Sequence, residues 1–150
     1  MADTIINVKD FTAAYGDNVI IDNISFDVIK GEKFVILGGS GCGKSTLLKH
    51  MIGLYRPAHG SILIEGDDIA KAEGQDRIEI LKNIGVAYQL GALFGSMTVL
   101  ENVMRPLEQY TGLKKDAIDL IASMKLSLVG LTASEEKSPS ELSGGMLKHA

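Results

Sequence analysis

The octet Gly38-Gly39-Ser40-Gly41-Cys42-Gly43-Lys44-Ser45 narrows what this chain can fold into more than any other feature, because it joins two segments of opposite character. Before it, Phe34-Val35-Ile36-Leu37 is continuously apolar, as a strand covered on both faces of a parallel sheet must be, so a strand is expected over Lys33 to Leu37. After it, Ser45 to Leu54 reads as a helix that closes near Gly53, ahead of Arg56-Pro57. Strand, glycine loop and helix is a mononucleotide-binding order, and the octet satisfies the phosphate-loop pattern G-x-x-x-x-G-K-S/T in that context. Glycines let successive backbone N–H groups converge on phosphate oxygens without Cβ obstruction, and a helix starting near Gly43 turns its positive dipole end on the same anion. Lys44 would neutralise the β- and γ-phosphates, the Ser45 hydroxyl would hold Mg²⁺, and Thr46 would add a phosphate contact. The bland alternative is a glycine-rich turn followed by a surface lysine.

Cys42 stands at a variable position of the loop, where a small residue fits. A thiol beside a helix N-terminus is also a candidate for reactivity, so alkylation of Cys42 should block nucleotide binding and bound nucleotide should slow the alkylation. Equal alkylation rates with and without nucleotide would dismiss the second reading.

The 150 residues, 45% hydrophobic and 23% charged, suit one globular domain. A net charge of -4 with dispersed Lys and Arg offers no basic stripe for a nucleic-acid backbone, so nucleic acid is not an expected partner. No apolar run approaches the roughly 20 residues that span a bilayer, and the opening MADTIINVKD lacks a secretory layout. A cytoplasmic location is expected, in agreement with a single cysteine.

Ile5 to Val8, Val19 to Ile21 and the alternating Ile24, Phe26 and Val28 read as short strands of an antiparallel opening, broken at Tyr15-Gly16-Asp17-Asn18 and at Asp22-Asn23. Ser61 to Glu65 predicts another strand, closed by Gly66-Asp67, and Ile84 to Gln89 a further one, followed by a glycine-spaced run from Leu90 to Gly95 that is expected to be a mobile connection. Thr98 and Glu101 have capping-box spacing and open a helix toward Gln109. Lys115 to Met124 predicts a second helix with Ala117, Ile118, Ile121 and Met124 on one side. A last start signal stands at Ser140-Glu141-Leu142-Ser143.

Taken with the phosphate loop, Leu142-Ser143-Gly144-Gly145-Met146 resembles the LSGG-type signature, and the whole chain resembles the ATP-binding subunit of an ABC transporter. The resemblance implies an α/β fold: a P-loop nucleotide-binding core over about 1–89, with an N-terminal antiparallel β part, then a helical subdomain over about 90–150. It implies that Tyr15 stacks on adenine, though an ordinary turn tyrosine is the alternative. Gln89 falls at the family's Q-loop, near Mg²⁺ and the γ-phosphate, and would report nucleotide state to the helical part. Ser143, Gly144 and Gly145 would contact the γ-phosphate of a second subunit's ATP, so that a homodimer sandwiches two ATP molecules; the alternative is a flexible linker.

The segment from Gly91 to Val103, and Met146 in place of a commoner glutamine, resemble the ATPases of bacterial phospholipid-trafficking systems of the Mla/Mkl-like kind. That resemblance implies a membrane permease as partner and a peripheral place on the cytoplasmic face of the inner membrane. Leu93-Phe94 is a candidate for receiving a permease helix, or equally for core packing. The family continues with an apolar strand ending in Asp-Glu, the Walker B strand, and a histidine loop; neither Asp67-Asp68 nor Glu135-Glu136 lies in such a strand. The domain is therefore expected to be incomplete, truncated before the Walker B strand and lacking the catalytic glutamate. These 150 residues alone are expected to bind ATP with little hydrolysis, and a bare edge beside Phe34 to Leu37 would invite pairing with another chain. Two other functions fit the same motifs: a non-catalytic nucleotide-binding module, and a soluble ABC ATPase that works on DNA or ribosomes without a permease.

Overall fold

The computed structural model describes residues 3–88 and 91–150, which divide into two compact units, Met1–Gly85 and Val86–Ala150. In the first unit, β1 (Thr4–Tyr15) and β2 (Asn18–Ile29) form one long antiparallel hairpin, with Tyr15 opposite Asn18 across a tight turn. β2 runs through Asp22-Asn23, where the sequence suggested a break, and β1 continues well past Val8, where the expected strand ended. Asp10 and Asn23 take left-handed backbone, φ 48° and 46°, and the register shifts on either side of the Phe11–Ile24 pair. They are bulges, not ends, because side chains replace the lost ladder bonds: the Ser25 hydroxyl accepts from Asp10 N–H at 2.8 Å, and the Thr12 hydroxyl accepts from Asn23 N–H at 3.1 Å.

β3 (His59–Ile64) pairs antiparallel with the other edge of β1, and the short β4 (Asp67–Asp68) pairs with β3, giving the order β2-β1-β3-β4. The helices α1 (Lys44–Met51) and α2 (Gly74–Lys82) add Leu47 and Ile80 to a core built on Val8, Phe11, Ala13, Ile62, Ile64 and Ile69. The start and end of α1 agree with the expected helix; α2 was not anticipated. Its Ile78 and Leu81 stand at helical spacing, but Glu73 supplies no side-chain cap, so the usual start signal is missing.

Two expected strands are not formed. Residues 33–37 and residues 84–88 join no ladder; Gln89 and Leu90 lie outside the described residues. A strand exists only through its neighbours, and no described segment pairs with either run. Exposure along the first still alternates: 44% at Phe34, 69% at Val35, 40% at Ile36 and 86% at Leu37. One face therefore packs on the sheet, where Phe34 stacks on Phe26 with ring centroids 4.9 Å apart, while the other is open.

In the second unit, α3 (Val99–Tyr110) opens with the expected capping box: Thr98 Oγ1 accepts from Glu101 N–H, and the Glu101 carboxylate accepts from Thr98 N–H. It continues through Pro106, which has no N–H to offer the Asn102 carbonyl. α4 (Lys115–Leu128) is longer than expected and buries Ile118, Ala122 and Leu126. Met124, expected on the inner face with Ala117, Ile118 and Ile121, is exposed: the helix meets Met104 of α3 along the i, i+4 row that starts at Ile118. A 3₁₀ turn, Pro139–Glu141, precedes the four-residue α5 (Gly144–Leu147), whose N-cap is Ser143, the last residue of the expected start signal.

Candidate nucleotide-binding site

The loop from Gly38 to Gly43 turns back on itself and delivers Lys44 at the first position of α1. Gly41 and Gly43 have φ of 82° and 96°, a region that residues with a Cβ adopt only at a cost. Gly43 is also crowded. A Cβ there would lie 2.9 Å from Ile21 Cγ1 and 3.4 Å from Ile20 Cγ2, so the glycine lets the end of the β1–β2 hairpin close on the start of the helix. A Cβ on Gly38 would collide with Cys42 Sγ. Residues 38–42 are exposed, so the loop's backbone is open to an incoming anion.

As N-cap of α1, Gly43 offers no side-chain acceptor, while its carbonyl accepts from Leu47 N–H at 2.8 Å. The first N–H groups of the helix are thus left to an external partner, and the helix has no acid in its first turn to compete for them. Lys44 Nζ donates to the carbonyls of Gly38 at 2.8 Å and Gly39 at 2.6 Å, which holds the ammonium over the loop. Its third donor faces Cys42 Sγ at 3.5 Å, a weak acceptor that a phosphate oxygen would readily replace. Ser45 is exposed at the helix start, and the Thr46 carbonyl accepts from the Nδ1–H of buried His50 at 2.7 Å.

Tyr15 ends β1 at the same hairpin tip, two residues beyond Ala13, the cross-strand partner of Ile21. Its ring is half-exposed and meets Tyr55 edge to face. Tyr55 and Arg77, neither singled out by the sequence, shape the turn after α1. The Arg77 guanidinium donates to the Gly53 carbonyl and to that of Ile69, and Gly53 has φ 72°. Arg77 stands in the helix that sequence reading missed, and its contacts lie far along the chain, so no local signal marks it.

In the second unit, Leu142 is buried with Val99, Leu126 and Leu131, which fixes the start of the signature-like segment. Ser143 caps α5 by accepting from Met146 N–H at 3.2 Å; Gly144 and Gly145 are exposed, and Met146 packs against the same cluster. The preceding turn is locked by Glu141, whose carboxylate accepts from the Ser138 N–H at 2.7 Å and the Ser138 hydroxyl at 2.8 Å; these bonds hold the carboxyl below its usual range. Asn102, also missed, is buried and accepts from Phe94 N–H at 2.7 Å while donating to the carbonyls of Phe94 and Thr98, which pins the exposed Phe94. Gln89 lies outside the described residues.

Among the described residues, no cluster of three or more His, Cys, Asp or Glu could hold a metal by itself. The Ser45 hydroxyl is a hard oxygen donor at the phosphate-facing end of the loop, which suits Mg²⁺ that draws most of its ligands from phosphate oxygens and water. No helix among the described residues is long and apolar enough to cross a membrane.

Known proteins share this architecture. The probable ribonucleotide transport ATP-binding protein mkl of Mycobacterium leprae is 46% identical over 145 residues, 97% of this chain and 42% of that protein. The intermembrane phospholipid transport system ATP-binding protein MlaF of Haemophilus influenzae is 41% identical over 150 residues, all of this chain and 57% of that protein. The chain thus spans about half the length of the curated relatives it matches. Among solved structures, the post-hydrolysis dimer of the ATP-binding cassette MJ0796 bound to ADP and Pi superposes with a TM-score of 0.86 at 26% identity, covering 96% of this chain and 66% of that one. Since residues 21–150 also match the ABC transporter family, phosphate loop and signature-like segment included, the chain belongs to that family.

Proposed function

We propose that this chain forms the nucleotide-binding part of an ABC ATPase subunit that energises phospholipid trafficking across a bacterial envelope. The observation that carries the nucleotide reading is the Lys44 ammonium, tethered to the Gly38 and Gly39 carbonyls beside the uncapped start of α1. Gly38, Gly39, Ser40, Gly41, Cys42 and Gly43 wrap the phosphates with backbone N–H groups, Lys44 neutralises them, and Thr46 adds a contact. Ser45 would hold Mg²⁺, which when bound offsets phosphate charge. Tyr15 stacks on the base from the hairpin tip. Residues of about 1–89 serve as ATP-binding core and about 90–150 as helical subdomain.

Leu142 to Met146 face the ATP of a second copy, consistent with the dimeric cassette to which the fold is similar. The exposed Phe94, pinned through Asn102, receives a membrane permease, placing the subunit on the cytoplasmic face of the inner membrane. The phospholipid cargo rests on the likeness to MlaF, whereas the name of the mkl relative speaks of ribonucleotide transport. The test is to purify the full-length protein with its co-purifying permease, reconstitute the complex in vesicles, and follow labelled phospholipid and labelled ribonucleotide with ATP. ATP-dependent phospholipid movement, lost in Lys44→Ala, is the expected result. Ribonucleotide movement without phospholipid movement would overturn the cargo assignment, and purification without any membrane partner would overturn the transporter assignment.

A further inference from the structure

We propose that Tyr55 is a positioning residue for the nucleotide base, fixing the plane of Tyr15; this rests on the reading that Tyr15 stacks on adenine. A tyrosine at a hairpin tip, 47% exposed, has little around it to choose one ring orientation, yet stacking needs a defined ring face. Tyr55 supplies the constraint. Its ring stands at 87° to that of Tyr15 with centroids 5.9 Å apart, inside the favourable range for an edge-to-face pair. A perpendicular contact uses at most one face of Tyr15 and leaves the other for a base.

Tyr55 is itself held. The Lys49 ammonium lies 5.8 Å from its ring centroid, and the His50 ring is 5.7 Å away at a tilt of 47°. His50 is 3% exposed, packs edge to face on the fully buried Phe11 at 5.2 Å, and is anchored through Nδ1–H to the Thr46 carbonyl. An unbroken aromatic series thus runs from the core at Phe11 through His50 and Tyr55 to Tyr15. The chain reversal that returns Tyr55 onto His50 is fixed by Gly53 N–H donating to the His50 carbonyl at 2.9 Å and Leu54 N–H to the Lys49 carbonyl at 2.8 Å. Because Thr46 belongs to the first turns of α1, the same series ties the base platform to the phosphate loop's helix.

The test compares affinity for Mg-ATP with affinity for Mg-tripolyphosphate, which lacks base and ribose, in the full-length protein. Tyr55→Ala should weaken ATP about fivefold and leave tripolyphosphate unchanged, Tyr55→Phe should retain ATP affinity, and Tyr55→Leu, which keeps apolar bulk and serves as the readout where the alanine variant folds poorly, should show the same selective loss. Tyr15→Ala combined with Tyr55→Ala should be no weaker than Tyr15→Ala alone. Equal loss of ATP and tripolyphosphate in both Tyr55→Ala and Tyr55→Leu would show a merely structural residue and overturn the proposal. A selective ATP loss in Tyr15→Ala without one in the Tyr55 variants would overturn it while sparing the stacking reading. No selective loss in Tyr15→Ala would overturn the stacking reading itself.

Discussion

Replacing Gly43 with alanine should destabilise the first unit through two separable effects. Backbone at φ 96° costs a residue with a Cβ about 1–2 kcal/mol. The new methyl would also lie 2.9 Å from Ile21 Cγ1 and 3.2 Å from Ile21 Cδ1, too close for carbon atoms. Ile21 is only partly buried and can yield a few tenths of an ångström, so the steric share should fall at the low end of overpacking costs, about 1 kcal/mol. The sum is about 2–3 kcal/mol. The chain has no tryptophan, so urea unfolding is best followed by far-UV circular dichroism, with midpoints and slopes compared across a double-mutant cycle. In an Ile21→Ala background the Gly43→Ala penalty should shrink by the steric share and keep the backbone share. An unchanged midpoint in Gly43→Ala, or an identical penalty in both backgrounds, would refute the reasoning.

Asn102→Ala removes an amide that accepts from Phe94 N–H and donates to the Phe94 and Thr98 carbonyls; it should cost about 1–3 kcal/mol and speed hydrogen exchange at the Phe94 amide, and unchanged exchange would count against it. Glu141 has its carboxyl held below the ordinary value, first by the Ser138 N–H and then by the Ser138 hydroxyl, so its contribution is present above the unfolded carboxyl value and lost as pH falls through the lowered folded one. Exchange at the Ser138 amide should accordingly rise with acid, relative to the intrinsic rate, across that window, and Glu141→Gln should flatten the dependence.

Much of this organisation is legible in local sequence. The phosphate-loop pattern names its residues, and the Thr98–Glu101 spacing sets the start of α3, because each depends on neighbours within a few positions. What stayed hidden is tertiary. Asp22-Asn23 read as a strand break, and the continuation of β1 past Asp10 went unread, because the replacement hydrogen bonds come from Thr12 and Ser25 on the facing strands. Phe34 to Leu37 has strand character, but pairing is a property of two segments, and one segment cannot display it. Met124 has the right spacing for the inner face, yet Met104 selects the row of Ile118 and Ala122 instead. Tyr55 and Asn102 carry no motif; only the fold shows that one meets Tyr15 and the other pins Phe94.

The most direct test of the central claim is equilibrium binding of Mg-ATP to the full-length protein by calorimetry, beside Lys44→Ala checked for an unchanged unfolding midpoint. The expected result is saturable binding that weakens about tenfold or more in the variant, the scale of a lost charge-assisted hydrogen bond. Equal affinity in the two proteins, or no binding by the wild type, would contradict the assignment of Gly38 to Ser45 as a nucleotide site.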